Sequence, residues 1–493
     1  MNRDASDMMA LFTNDDARSL LKKGLFGLER EAQRVTQSGD LAMTPHPAVF
    51  GSKAENPHIT TDFAESQIEM ITSPCTSPEE AYRELRAYHE MVEGGIGDEF
   101  LWPISMPPRL PEENDIPIAR FSETASGTNA NIYRNGLALR YGKKMQMISG
   151  IHFNYSFDED LIDILHTRFG DGQTRRDFMD DLYFSVARNF LRYRWLLIYL
   201  FGASPHCDPT YYSVVKKEIK MVQKCCPTRY DLFFRNVSQH ATSLRVSRFG
   251  YDNPNRKNQK IHYNSMSEYA RKLHELMSTR SPQYAKLGMY RNGSQVQLSE
   301  NVLQKESEYY SSIRLKQTVS SGECQLNALL SRGVKYLEVR ILDCNPYDKM
   351  GISVEQMHFM HVFLLYCLFT KSPRITEAEH RRLNENHQLV ALMGRDEPLI
   401  LSRAKEDISL EAWGGEIMDG LHEIAGLMDS DTGSESESYR MVVERQREKL
   451  TDRSLLPSEI MHKEMTRLHM NYLEYGNHLA KEHHTENEGG GKP

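Results

Sequence analysis

Apolar and polar positions alternate most cleanly along Lys335-Tyr336-Leu337-Glu338-Val339-Arg340-Ile341-Leu342-Asp343. As a strand, this stretch sets Leu337, Val339 and Ile341 on one face and Glu338 and Arg340 on the other. The carboxylate and the guanidinium then project the same way, roughly 7 Å apart. The same period recurs in Met145 to Phe157, where Ile151, Phe153, Tyr155 and Phe157 share a face and His152, Asn154 and Ser156 take the opposite one. Gly27-Leu28-Glu29-Arg30-Glu31 reads as extended, with Glu29 and Glu31 on one side, and Thr36-Gln37-Ser38-Gly39-Asp40 suits a return of the chain. In His58 to Thr72, a strand over the second half turns Glu69 away from Ile68 and Met70, whereas a helix would align Asp62, Glu65 and Glu69. Either way negative charge collects on one side. Val296 to Leu303 reads as a further strand.

Helical periods fill much of the remainder. Residues up to about 23 form a helical lead-in, and Pro108 to Thr128 is a polar loop. Ser77 suits a cap, Pro78 the first helical position and Glu80 a capping box, ahead of an apolar face of Ala81, Leu85, Tyr88 and Met91/Val92. Arg175 to about Leu200 is helical and stops at Gly202 and Pro205. Residues 266–278 are amphipathic. Val354 to Phe369 is apolar nearly all round and predicts a core helix, with His358 and His361 as packing groups. Residues 405–427, 437–450 and 457–482 complete a mostly helical C-terminal part, broken by the acidic loop Asp429 to Glu435. One large catalytic domain over 1–482 follows, with a core of about 20–350, a helical part of about 351–482 and a disordered tail at 483–493.

Composition narrows the function. The chain has 493 residues, 39% apolar and 26% charged, enough to bury a core, and its net charge of −8 gives no general basic field for nucleic acid. The densest apolar runs, Trp195 to Phe201 and Val362 to Phe369, fall short of the ~20 residues of a membrane span. Met1 to Asp7 holds no signal core. Seven cysteines are scattered; Cys225-Cys226 is the close pair, and no zinc spacing occurs. A reducing cytoplasm is the simplest compartment. Gly136 to Gly142-Lys143 is not a phosphate loop, since five residues separate the glycines and Lys144 stands where Ser or Thr should be.

The polar strand faces together offer Glu29, Glu31, Asp62, Glu69, His152 and Glu338. Singly, each is more often part of a solvated or internally paired face. Together, carboxylates that face one another repel unless a cation sits among them, and oxygen-rich ligation with one imidazole suits Mg²⁺ or Mn²⁺. Arg340 beside Glu338 would meet phosphate. Such a set points to a metal-dependent nucleotide enzyme, with an inert salt-bridged sheet as the alternative.

A resemblance sharpens that reading. Gly27-Leu28-Glu29-Arg30-Glu31, Ile59-Thr60-Thr61-Asp62-Phe63-Ala64-Glu65, Trp102-Pro103-Ile104-Ser105-Met106-Pro107, Tyr133-Arg134-Asn135-Gly136-Leu137, Ile148-Ser149-Gly150-Ile151-His152-Phe153-Asn154, Tyr199 to Pro205, Thr242-Ser243-Leu244-Arg245, Asn301-Val302-Leu303-Gln304 and Tyr336-Leu337-Glu338-Val339-Arg340 run in order over residues 20 to 350. In these stretches the chain resembles bacterial glutamate–cysteine ligases of the gamma-proteobacterial type; past residue 370 the match thins. The resemblance implies an α+β fold with a glutamine-synthetase-like curved, mainly antiparallel sheet forming a cup, helices packed outside. It implies that ATP phosphorylates the γ-carboxylate of L-glutamate and that the amine of L-cysteine displaces the phosphate, the first step of glutathione biosynthesis. It also implies Glu29, Glu31, Asp62, Glu69, His152 and Glu338 as divalent-metal ligands. Arg340 would stabilise the transferring phosphoryl, and Phe63, Tyr133, Leu137, Gln146, Arg245, Tyr251 and Tyr310 would wall a cysteine pocket. Arg134, Arg140 and Arg314 become phosphate or glutamate contacts. Little chain remains for the fused glutathione synthetase module of some relatives. A related ligase using another amine, and a retired scaffold, are the competing readings. Assembly stays open, a monomer among the options.

Overall fold

The computed structural model of the protein describes residues 5–489 apart from 13, 123, 217–236, 238, 252–259, 321, 405 and 430–437. Cys225, Cys226 and residues 430–435 of the acidic loop therefore lie outside the described residues. The main sheet contains β1 (Gly24–Val35), β2 (Ile59–Thr61), β3 (Gln67–Ile71), β4 (Phe100–Leu101), β5 (Ile151–Phe157), β6 (Ile313–Lys316) and β7 (Tyr336–Leu342). Its order is β2-β3-β1-β5-β7-β6, with β4 against β1, and every pairing is antiparallel. The sheet is open and helices flank it, as the α+β reading expects.

Alternation explains which way the sheet faces. Phe26 and Leu28 of β1, Phe153 and Tyr155 of β5, and Leu337 and Val339 of β7 are buried together. They meet helices α1 (Pro78–Gly95), α2 (Arg175–Phe201) and α3 (Val354–Phe369). α3 is buried on nearly every side, so an apolar sequence without a polar stripe is what its place requires. His361 on α3 packs on Phe26, with ring centroids 5.0 Å apart, and its Nε2 stands 3.0 Å from the hydroxyl of Tyr155. His361 is thus the packing group that the sequence suggests. At the start of α1, the Ser77 hydroxyl accepts the Glu80 N–H at 3.1 Å. The reciprocal half of the box is displaced by one residue: the Glu80 carboxylate takes the N–H of Thr76 at 2.7 Å instead of that of Ser77.

Three expectations fail. Residues 296–303 are not a strand of this sheet, because their N–H groups find other acceptors. Leu298 donates to the Gln304 side chain at 3.0 Å, and Val302 and Leu303 donate to the carbonyls of Thr279 and Leu276 at 2.8 and 3.1 Å. Residues 457–482 are two helices, Pro457–Arg467 and Tyr472–Gly489, separated where His469 adopts a φ of 54°. The second continues past His483 and does not release a disordered tail there. The Lys349 ammonium donates to the His483 carbonyl, and His484 packs on Phe100 with ring centroids 4.9 Å apart. Sequence reading also missed β6 and the helix Glu377–Met393.

Candidate active site

Strand register assembles the polar face. Glu31 lies opposite Glu69 and Glu69 opposite Thr60. Glu29 lies opposite His152, and Glu338 is flanked by Asn154 on one side and Arg314 on the other. Because all strands are antiparallel and directly paired, side chains on one face of neighbouring strands stand within contact of each other.

His152 occupies the middle. Its Nδ1 is 2.8 Å from Glu29 Oε2 and 3.8 Å from Glu338 Oε1, and its Nε2 is 3.7 Å from Glu31 Oε1. Among the described residues, two groups could hold a metal ion: Glu29, His152 and Glu338, and Glu31, Glu69 and His152, each with ligand atoms within 4.8 Å of one another. Opposed ligand atoms on one Mg²⁺ stand about 4 Å apart, so modest side-chain adjustment closes either set. Asp62, at the end of β2, joins neither group but borders the second.

The electrostatics fit a cation. Burial, then the neighbouring Asp62 charge, pushes the Glu31 carboxyl up to about 8. Burial and the charges of Asp62, Glu29 and Glu31 hold Glu69 well above the ordinary carboxylate range. Burial and the Arg340 charge lower the His152 imidazole, which keeps it neutral and able to ligate. Glu338 differs. Burial would raise it, but Lys316, Arg340 and Arg314 together hold it well below its usual value. Its Oε2 is buried with no hydrogen-bond partner among the described residues. A buried, ionised oxygen in that state is what a metal ligand offers before the ion arrives.

Arg340 touches both halves of this arrangement. Its Nη1 lies 2.8 Å from Glu338 Oε1 and 3.4 Å from His152 Nδ1. Arg245 donates to the Arg340 carbonyl at 3.0 Å, which ties the loop before Tyr251 to β7. Tyr251 meets Tyr310 edge-on with centroids 4.3 Å apart, and Gln146 donates to the Tyr310 hydroxyl at 3.1 Å. Arg245, Tyr251, Tyr310 and Arg340 line one small cavity of about 30 Å³, room for about one water. Phe63, Tyr133, Leu137 and Tyr310 belong to one buried apolar cluster. Of the anticipated pocket wall, Arg245, Tyr251 and Tyr310 share that cavity and Gln146 bonds Tyr310, whereas Phe63, Tyr133 and Leu137 join Tyr310 only through the apolar cluster.

The three looser arginines part company. Arg134 donates to the carbonyls of Asp62 and Thr61, the latter at 3.3 Å, and lies over the Phe121 ring at 4.2 Å. Arg314 spends its guanidinium on the carbonyls of Ser307 and Tyr309, at 2.7 and 3.2 Å. Arg140 is not placed for substrate. It forms a 2.9 Å ion pair with Glu308 in which neither side chain is exposed, and Tyr141 donates to the same carboxylate at 2.7 Å. Glu308→Ala should therefore destabilise the protein by ~3–5 kcal/mol, since it strands a buried guanidinium. Urea unfolding checks this; a loss under ~1 kcal/mol would contradict the pair's importance. One polar-face residue escaped sequence reading. Lys316 stands 3.6 Å from Glu338 Oε2, on a strand of four residues whose alternation is too short to register.

These features are those of an enzyme site, and comparison with known proteins says of which family. A sequence model described as glutamate–cysteine ligase matches residues 9–390. The chain is 51% identical over 477 residues to a glutamate–cysteine ligase of Clostridium acetobutylicum, covering 96% of this chain and 98% of that protein. It is 38% identical over 464 residues to one of Pseudomonas putida, covering 94% and 86%. Among solved structures, the glutamate–cysteine ligase of Francisella tularensis in complex with AMP superposes with a TM-score of 0.83 at 33% identity, covering 94% of this chain and 89% of that one. A bifunctional glutathione synthetase of Pasteurella multocida gives 0.73 at 29% identity, over 98% of this chain and 54% of that one. The chain belongs to the glutamate–cysteine ligase family.

Proposed function

We propose that this enzyme joins the γ-carboxylate of L-glutamate to the amine of L-cysteine at the expense of ATP, through a γ-glutamyl phosphate, in the first step of glutathione biosynthesis. The observation that carries it is the meeting of two acidic–imidazole groups with Arg340 on one sheet face, in a chain that matches this family along nearly its whole length. A γ-carboxylate oxygen attacks the γ-phosphorus and ADP leaves. The cysteine nitrogen then attacks the acyl carbon, phosphate leaves, and the amine gives up its proton.

Glu29, Glu31, Asp62, Glu69, His152 and Glu338 would hold Mg²⁺, or Mn²⁺, which supplies neutralisation of phosphate oxygens when bound. Arg340 turns its guanidinium to the phosphoryl in transfer, where charge spreads over three oxygens. Phe63, Tyr133, Leu137 and Tyr310 give a small thiol an aliphatic and aromatic surround, and Arg245 gives the cysteine carboxylate a cation. The same apolar wall keeps water from the acyl phosphate, which would otherwise hydrolyse. One catalytic unit is the corresponding architecture; supporting it, a single apolar cluster includes Phe26 and Phe153 of the sheet and Leu421 of the C-terminal helix Leu410–Asp429. The subtype in this reading is gamma-proteobacterial, and the compartment the cytoplasm. The motif run over residues 20–350 supports the first, the scattered cysteines the second. No helix among the described residues is long and apolar enough to cross a membrane.

The test is ADP release by purified protein with ATP, Mg²⁺ and glutamate, offered cysteine, 2-aminobutyrate and a panel of other amines. Cysteine should give the highest kcat/KM. A better amine in the panel would make the protein a different carboxylate–amine ligase, and no turnover with any would make it a scaffold.

A further inference from the structure

Charge is divided unevenly over the polar face. Glu31, Glu69 and Asp62 gather over β1 to β3, whereas Arg314, Lys316 and Arg340 gather over β6 and β7. β6 is the edge strand, and its Ile313 and Leu315 are buried while Arg314 and Lys316 look to the polar side. These two cations differ in how they are held. Arg314 is anchored on two carbonyls, as described above. The Lys316 ammonium stands 3.6 Å from Glu338 Oε2, outside hydrogen-bond reach, and that oxygen has no hydrogen-bond partner among the described residues. The Lys316 side chain keeps 22% of its surface exposed. An ammonium held near a carboxylate but not bonded to it has donors to give. If Glu338 is claimed by a divalent cation, Lys316 loses the carboxylate that now faces it, at the moment a polyanion enters.

We propose that Lys316 is a nucleotide-binding residue, whose ammonium grips the polyphosphate of ATP at the β6 edge of the site. This rests on the ligase reading and assigns one half of that site to the nucleotide. Of the ligands of such an enzyme, the polyphosphate carries the most negative charge, so it is the one most strongly drawn to the cationic half. Tyr336, paired with Lys316 across β6 and β7, is half-buried at the same rim and offers a ring beside it.

The experiment compares wild type with Lys316→Met and Lys316→Arg. Affinity for ADP in the presence of Mg²⁺ is read by calorimetry, and KM is measured separately for ATP, glutamate and cysteine. Lys316→Met should weaken ADP binding and raise the KM for ATP by about tenfold or more, as expected for a lost charge-assisted hydrogen bond. The KM values for both amino acids should stay within about twofold, and Lys316→Arg should retain ADP binding. Unchanged ADP affinity in Lys316→Met, or a rise confined to the KM for glutamate or cysteine, would overturn the assignment. Should Lys316→Met not fold, reductive methylation of wild type provides the second measurement. MgADP should protect Lys316 from modification, and modification at an unchanged rate would equally overturn it. A wild type that binds ADP with Lys316 protected yet ligates no amine would refute the ligase reading and leave the nucleotide contact standing.

Discussion

Glu338→Gln should lower turnover by more than about 100-fold while the chain stays folded. Outer-shell partners of metal ligands already cost ~10–100-fold when replaced, and the proposed function makes Glu338 a ligand itself. The substitution keeps the shape and leaves an oxygen to accept from Arg340, which now sits 2.8 Å away. It removes the charge that Lys316, Arg340 and Arg314 surround. It also relieves the repulsion that Glu338 exerts on Glu29, so the net effect on stability is divided between opposing terms. The pH dependence has a definite sign. The Glu338 carboxyl lies well below its ordinary value of 4.5 in the folded state. Its contribution is therefore full above that value and is lost as pH falls through the lower, folded one. In EDTA, any gap in Tm between wild type and Glu338→Gln should narrow on acidification below about pH 4.5. Turnover within about tenfold of wild type would remove Glu338 from the ligand set.

How far the sequence carried this picture depends on what each residue's neighbours do. Strand alternation was legible wherever the strand was long enough. β5 buries Ile151, Phe153, Tyr155 and Phe157 and presents His152 to the polar face. β7 likewise buries Leu337 and Val339 and turns Glu338 and Arg340 toward each other. The distances that unite Glu29, Glu31, Glu69, His152 and Glu338 were not legible, since they come from the register of β3, β1, β5 and β7, whose members lie up to 309 positions apart between Glu29 and Glu338. The family resemblance supplied what periodicity could not. Where local pattern misled, a long-range partner had replaced the expected one. Gln304 and the end of the helix Met266–Ser278 took the N–H groups of Leu298, Val302 and Leu303. Glu308 took Arg140. The helix Tyr472–Gly489 continued because Tyr475, Leu479 and Ala480 are buried, and Gly476 admits the Trp102 ring where a Cβ would stand 2.1 Å from it. Polar composition at the end of a chain does not reveal such an anchor.

Arg340 is the residue whose loss should cost most. Replacing it by Met should reduce kcat by about 10³–10⁵, the range for an arginine that stabilises a phosphoryl in transfer. Replacing it by Lys should recover only part, because a point charge cannot reproduce two parallel N–H donors on a planar fork. The KM values for glutamate and cysteine should change little if the contact forms in the transition state, since such an interaction moves kcat and not ground-state binding. Two neighbours could complicate that split. Arg340 also neutralises Glu338 at 2.8 Å, and its carbonyl anchors Arg245 at 3.0 Å. The backbone contact survives either substitution, so the proposed cysteine pocket should stay intact; the lost charge shows instead in metal affinity, which is measurable by Mn²⁺ titration. Phosphoryl transfer itself is isolated by positional isotope exchange in γ-labelled ATP with glutamate and no cysteine. Exchange should fall in parallel with kcat in Arg340→Met. If exchange persisted while ligation failed, Arg340 would act on the amine step. If kcat stayed within about tenfold in both variants, its guanidinium would have no place at the transferring phosphoryl, and the ion pair with Glu338 would be its whole role.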